Sequence, residues 1–362
     1  MRRTRVRLGR ISYDICIGSG LLMQTGRQLR EIGFSDKLVI ITDPTVKGLY
    51  GNTLSQSLTG EGFKVTILEV PEGEEQKSLD TASRLYNELG NFHAERTTPI
   101  LALGGGVIGD LTGFVAATYM RGVPLIQMPT TLLAQVDSSI GGKVALDHGQ
   151  LKNKIGAFYQ PRLVISDITT LKSLTTTELS QGLAEVIKYA AIRDKGFFAY
   201  LERNLEQIKS LDEGVLKDIV LRSAQIKAEI VEKDELDLGL RHILNYGHTV
   251  GHAIESASDF KVGHGEAVAL GMLAAGRISN KLGMLSQNEL IRLKEVIQRV
   301  GLPTKMPSLE VGRIIQAMEF DKKIFEGKIR FILLRSLGEA FITDEVSPSL
   351  IEQALVDWSE ET

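Results

Sequence analysis

Cysteine, with tryptophan, is what this chain has least of. Cys16 is alone among 362 residues, so no disulfide can form within the chain. Its setting in the apolar run Ile15-Cys16-Ile17 predicts a buried, inert thiol, because no activating neighbour accompanies it. An excess of charge is missing too: 42 Lys and Arg against 45 Asp and Glu leave a net charge of −3. Such a balance gives no bias towards nucleic acid or a membrane surface. No uninterrupted apolar run is long enough to cross a bilayer. The basic start (Arg2, Arg3, Arg5, Arg7) leads into Asp14 and a strand-like alternation, where a signal peptide would place its apolar core. Together these absences predict a soluble protein in a reducing, cytoplasmic setting, with neither nucleic acid nor membrane as partner.

What is present is enough apolar material, 43% of residues, for two substantial cores. Up to about residue 172 the chain alternates strand and helix. Residues 37–42, 65–70, 99–103, 124–128 and 163–166 read as short, nearly all-apolar strands, with helical patterns at 78–90, 107–120 and 131–137. Strands of that kind separated by helices predict a mostly parallel sheet covered on both faces. In such sheets ligands sit at the carboxyl ends of the strands. From 173 to 362 long amphipathic patterns without intervening strands predict a mainly helical second domain.

The loops after the strands carry the candidate chemistry. Gly104-Gly105-Gly106-Val107-Ile108-Gly109-Asp110 lets backbone approach a phosphate at a helix start, although it departs from the usual dinucleotide spacing and also fits a plain tight turn. Thr130 and Thr131 place two hydroxyls at another helix start. Glu72 to Ser78 offers carboxylates for ribose hydroxyls, or equally a capped helix entrance with acids favoured by the dipole. Lys143, Lys152 and Lys154 stand among glycines, a setting that suits a phosphate and also an ordinary solvated loop.

In the second half, Glu185 and Lys188 are three residues apart on a helix otherwise apolar nearly all round. A helix of that kind is buried, and buried charges cost several kcal/mol each unless paired or ligating. Lys227 falls inside the apolar arc of residues 216–233, where it either snorkels to water or faces a closed anionic ligand. Finally, stepping 100° per residue from Arg241 puts Arg241, Asn245, His248 and His252 on one helical stripe. Two imidazoles on such a face, with His264 nearby, suggest a metal site in want of an anionic ligand.

Five segments then match a known family. Gly105-Gly106-Val107-Ile108-Gly109-Asp110, Thr130 to Ser139, Ala184-Glu185-Val186-Ile187-Lys188, Asn245 to His252 and His264-Gly265-Glu266-Ala267-Val268 closely resemble 3-dehydroquinate synthase, in order and along nearly the whole chain. The resemblance implies an NAD-binding α/β domain, a helical metal-binding domain and an active site in the cleft between them. It implies zinc, or cobalt, on Glu185, His248 and His264. Asp43, Glu74, Lys77, Gly105, Gly106, Asp110, Thr130, Thr131, Lys143, Lys152, Thr170 and Ser173 would line the NAD site. It further implies a homodimer in which Arg121 reaches the neighbour's substrate phosphate.

The implied substrate is 3-deoxy-D-arabino-heptulosonate 7-phosphate, a phosphorylated keto acid. Transient oxidation by NAD, phosphate elimination, re-reduction and an internal aldol step would yield 3-dehydroquinate. Arg241 and Lys227 fit its carboxylate. Lys143, Asn153, Asn245, His252 and one of Lys322 and Lys323 fit its phosphate, and Asp137 and Lys188 would hydrogen-bond the hydroxyl being oxidised. The sequence departs from the family's usual pattern at Val144, which removes a hydroxyl, and at Thr175-Thr176-Thr177, ahead of Glu178. Three other readings compete: a sister sugar-phosphate cyclase, a dehydrogenase of the glycerol or iron-dependent type, and a non-catalytic NAD- or metal-binding protein. Dehydrogenases of that type resemble Asp-His-His sites, whereas Glu185 and the Lys227/Arg241 pair favour a phosphorylated acid.

Overall fold

A computed structural model describes residues 1–34, 36–149, 151–324 and 329–361, with the side chains of Leu151 and residues 319–324 outside that description. Two compact units emerge, one from Met1–Leu174 with Leu216–Leu236, the other from Thr175–Val215 with Asp237–Thr362.

The first unit is built on seven strands: β1 (Arg2–Val6), β2 (Tyr13–Gly18), β3 (Lys37–Thr42), β4 (Lys64–Glu69), β5 (Ile100–Gly104), β6 (Leu125–Pro129) and, later in the chain, β9 (Leu163–Asp167). Their order is β1-β2-β9-β6-β5-β3-β4. Only the β1–β2 pair is antiparallel. Alternation along each strand divides the core between the two faces. Val39, Ile41, Ile100 and Ala102 pack with Leu85 and Leu89 of α4 (Leu79–Asn91) and Leu111 and Val115 of α5 (Gly106–Thr118). Leu38, Ile40, Leu101 and Leu103 pack with Leu29 of α1 (Thr25–Glu31) and with Leu54 and Leu58 of α3 (Asn52–Gly60). Burial on both faces explains why these strands are continuous apolar runs. Between β3 and β5 the strand order reverses direction, so the one-turn α2 (Pro44–Val46), capped by Asp43, and the glycine turn before α5 open at one crevice.

One stretch differs from its sequence reading. Lys143 to Phe158 is no loop but an antiparallel hairpin of β7 (Lys143–His148) and β8 (Leu151–Phe158), with Ala145 opposite Gly156. Lys152 and Lys154 therefore project from a strand, and both are exposed. Val144 is buried against α5, where a Cβ on Gly113 would overlap its side chain. Its side chain therefore packs in the core of the α/β unit.

The second unit is mainly helical: α6 (Thr176–Arg193), α7 (Lys195–Lys209), then, beyond α8 (Glu213–Lys233), α9 (His248–Ala257), α10 (His264–Lys281), α11 (Gln287–Arg299), α12 (Val311–Ile324) and α13 (Pro348–Glu360). A hairpin, β10 (Phe331–Ser336) and β11 (Glu339–Thr343), adds the strands that the helical pattern did not announce. From Leu216 on, α8 groups with the first unit. Thr175, where the usual pattern is broken, forms a reciprocal capping box with Glu178 that starts α6. No helix among the described residues is long and apolar enough to cross a membrane.

Candidate active site

In the helical unit a carboxylate from mid-helix meets two imidazoles that each open a helix. Glu185 sits in the fully buried stretch of α6, and His248 and His264 are the first residues of α9 and α10. Ligand atoms of the three lie within 4.8 Å of one another. His248 Nε2 is 3.6 Å and His264 Nε2 3.8 Å from Glu185 Oε1. The single helix expected from Arg241 through His252 is in fact broken. Leu240–Asn245 forms a 3-10 helix and Gly247 takes a left-handed turn (φ 82°) before α9 begins at His248. Arg241 and Asn245 therefore leave the stripe, while His248 and His252 stay on it. The sharp turn also lets α10 press close: a Cβ on Gly271 would overlap the Gly247 carbonyl, so neither position has room for more than glycine.

Protonation follows from this geometry. The Tyr246 carbonyl lies 3.2 Å from His248 Nδ1. A proton on Nδ1 donated to it leaves the Nε2 lone pair turned towards Glu185. Burial, then the Lys188 charge and the neighbouring imidazoles, hold His248 well below its usual pKa, hence neutral and able to ligate. At His264 burial pulls the same way. The hydrogen bond with Glu255 and the charges of Glu185 and Glu255 outweigh it, so its pKa lies above the usual value. Glu255 was absent from the sequence reading, yet its Oε1 is 3.3 Å from His264 Nδ1, where it orients the ring. Its place seven residues after His248 and three after His252 was the available signal. Lys188 is as buried as Glu185, pairs with its carboxylate and lies 4.9 Å from the Tyr189 ring centre. Arg241 is buried, whereas Asn245 and His252 are exposed. A carboxylate and two neutral-capable imidazoles in a half-buried cluster fit a tetrahedral zinc or cobalt ion with room for substrate oxygens.

The α/β unit holds a second arrangement. Gly105 is the extended N-cap of α5 with no side-chain cap, and a Cβ on Gly105 or Gly106 would stand 3.3–3.4 Å from Thr131 or Ser138. This bare helix start fits the pyrophosphate of NAD. Lys77, 4% exposed, donates to Asp110 at 2.9 Å and to Asn153 Oδ1 at 2.5 Å, with Glu74 at 3.5 Å. Burial pushes the Asp110 carboxyl up to about 6 in spite of the Lys77 ammonium. Burial opposes the Lys77 charge, but Asp110, Glu74 and Asp147 outweigh it and its pKa rises. Asp43, raised by burial and by Glu72, accepts from Val46 N at 2.8 Å. The buried Lys227 neither snorkels nor stands open: its ammonium is bonded to the Asp137 carboxylate. Gln135, also missed, brings Nε2 within 3.0–3.2 Å of Pro129 O, Asp167 O and Thr170 Oγ1, and Thr170 Oγ1 in turn donates to Thr130 O at 3.2 Å. Tyr50 reaches Ser173 Oγ at 2.7 Å. Lys143 and Arg121 are exposed. The Lys322 and Lys323 side chains lie outside the described residues.

Two family models match, the 3-dehydroquinate synthase N-terminal model over residues 67–181 and the C-terminal model over 182–324. A 3-dehydroquinate synthase of Dehalococcoides mccartyi is 51% identical over 346 residues, 96% of either chain. The chain belongs to the 3-dehydroquinate synthase family. Solved structures extend the likeness to related cyclases. The 2-epi-5-epi-valiolone synthase of Streptomyces hygroscopicus, with NAD+ and Zn2+ bound, superposes with a TM-score of 0.90 at 28% identity, covering 98% of this chain and 99% of its own. A 2-deoxy-scyllo-inosose synthase holding carbaglucose-6-phosphate, NAD+ and Co2+ gives 0.89 at 25%, covering 99% and 100%. The fold, an α/β unit with a mainly helical unit, is thus shared with these cyclases.

Proposed function

We propose that this chain converts 3-deoxy-D-arabino-heptulosonate 7-phosphate to 3-dehydroquinate and phosphate, a carbon–oxygen lyase reaction of the shikimate pathway to aromatic amino acids. The observation that carries it is the convergence of Glu185, His248 and His264 in a chain 51% identical to a synthase of that name. NAD+ with Zn2+ or Co2+, held by the two solved relatives, are its cofactors. When bound, the ion lowers the pKa of a substrate alcohol and the nicotinamide takes up and returns a hydride.

The chain's own residues supply the rest. Glu185, His248 and His264 hold the ion, and Lys188, already bonded to Glu185, stands ready to hydrogen-bond the hydroxyl being oxidised. Asp137, held by Lys227, serves the same hydroxyl. Arg241 presents a planar fork to the carboxylate, and Lys227 adds its charge. Asn245, His252, Lys143, Asn153 and Lys323 bind the phosphate. Lys77, Asp110, Asp43, Glu74, Gly105, Gly106, Thr130, Thr131, Lys152, Thr170 and Ser173 bind NAD+. The chain works in the cytoplasm as a homodimer, with Arg121 completing the partner's phosphate site. In support, Met120, Arg121 and Gly122 have φ of 48°, 66° and 116°, a strained run that presents an exposed arginine.

A sister cyclase acting on an uncarboxylated heptulose phosphate is the nearest rival. It is disfavoured by the step from 51% identity down to 28%. Phosphate release from the heptulosonate phosphate with catalytic NAD+, measured with and without chelator, tests the reading. Turnover without net NADH, lost on chelation and restored by Zn2+ or Co2+, is expected. Release only from an uncarboxylated substrate, or steady NADH accumulation, would refute it.

A further inference from the structure

We propose a second divalent-cation site beside the first, built from His252, Glu255 and Nδ1 of His264. It rests on the reading of Glu185, His248 and His264 as the primary site. Ligand atoms of the three residues lie within 4.8 Å of one another. His248, His252 and Glu255 stand at i, i+4 and i+7 on α9, hence on one stripe. The His264 ring stands between two carboxylates, with Nε2 facing Glu185 Oε1 at 3.8 Å and Nδ1 facing Glu255 Oε1 at 3.3 Å. A neutral imidazole carries one N–H and one lone pair. The two clusters thus share His264, and the second stands on the convergence of His252, Glu255 and His264.

The primary ion would be held through Nε2. A second ion would take Nδ1 in place of the proton donated to Glu255, that proton passing to solvent, so that His264 would serve both sites. Two imidazole nitrogens and one carboxylate select Zn2+, Co2+ or Ni2+ over the harder Mg2+ and Ca2+. The His252 side chain is 53% exposed, so this site is the more open and the weaker of the two. His252 belongs to the phosphate ligands in the proposed function, so an ion that takes it competes with substrate. The enzyme is thereby activated by one equivalent of metal and inhibited by excess.

Calorimetric titration of the chelator-stripped full chain with Zn2+, with bound metal counted by elemental analysis, tests this. The wild type is expected to show two steps, the second at least about tenfold weaker. Glu255→Gln should bind one ion, with the tight step weakened about 10- to 100-fold through loss of the partner that orients His264. Glu185→Gln should lose the tight step and keep the weak one, which separates failure of the primary reading from failure of this one. His252→Gln should also delete the weak step, should Glu255→Gln fold poorly. In turnover, excess Zn2+ should raise KM in the wild type and leave it unmoved in Glu255→Gln. A single step in the wild type, two full steps in Glu255→Gln, or inhibition that lowers kcat without touching KM would overturn the proposal.

Discussion

Both units bury charge, but they do so with opposite polarity. In the helical unit a carboxylate, Glu185, is ringed by an ammonium and two imidazoles, one of them held neutral. In the α/β unit a buried ammonium, Lys77, is ringed by Asp110, Glu74 and the Asn153 amide. The first arrangement gathers lone pairs around a single point, as a cation requires. The second pairs its lysine within the protein, beside a bare helix start and hydroxyls. Buried charge alone therefore does not mark a metal site; the direction in which the lone pairs converge does.

Four experiments sharpen that contrast. Removing the central carboxylate should have the largest effect. Glu185→Ala strips Lys188 of its carboxylate partner, at about 3–5 kcal/mol in urea unfolding of the metal-free chain. The tightly bound metal should be lost and kcat/KM fall on the order of a thousandfold, the several kcal/mol a metal-held charge supplies. Zinc retained at wild-type affinity in that variant would end the account of the helical site.

The α/β cluster should respond to pH instead. Folded Asp110, with a pKa of about 6, holds its proton more tightly than an unfolded aspartate near about 3.9. Its contribution to stability is then fully present below about pH 4 and is lost as pH rises through about 6, amounting to at most about 3 kcal/mol. Asp110→Asn should flatten that part of the stability–pH curve, and an unchanged slope would assign it elsewhere.

Gly271→Ala should push α10 away from the Gly247 turn, costing about 1–3 kcal/mol and loosening metal through His248 and His264 together. The smallest effect is expected from Val144→Thr. A hydroxyl facing Gly113 costs about 1 kcal/mol, while KM for NAD+ and substrate stays put. A changed KM would return residue 144 to the ligand site.

Legibility followed burial. Strands β3, β5, β6 and β9 could be read because both their faces are covered, which leaves apolar runs such as Leu38-Val39-Ile40-Ile41, all 0% exposed. The β7–β8 hairpin could not, because one face is wet and its lysines and glycines mimic a loop. The pairing of Glu185 with Lys188 was implied by two charges in an apolar helix. The break at Gly247 was not: the apolar phase runs through it unbroken, and only the close approach of α10 shows why the turn is needed. Glu255 had the right spacing, but its meaning depends on where α10 brings His264. Nor does the amphipathic pattern of α8 announce its grouping with the first unit, where Lys227 meets Asp137 and Asp218 meets Arg2.

The turn at Met120-Arg121-Gly122 leaves one further mark. Two successive side-chain-bearing residues in left-handed geometry cost on the order of 1–3 kcal/mol each, and glycine would relieve much of that. Selection for heat resistance alone would place glycine at 121 and gain a sturdier, slower protein. With the phosphate role proposed for Arg121, durability and turnover would pull the same residues in opposite directions.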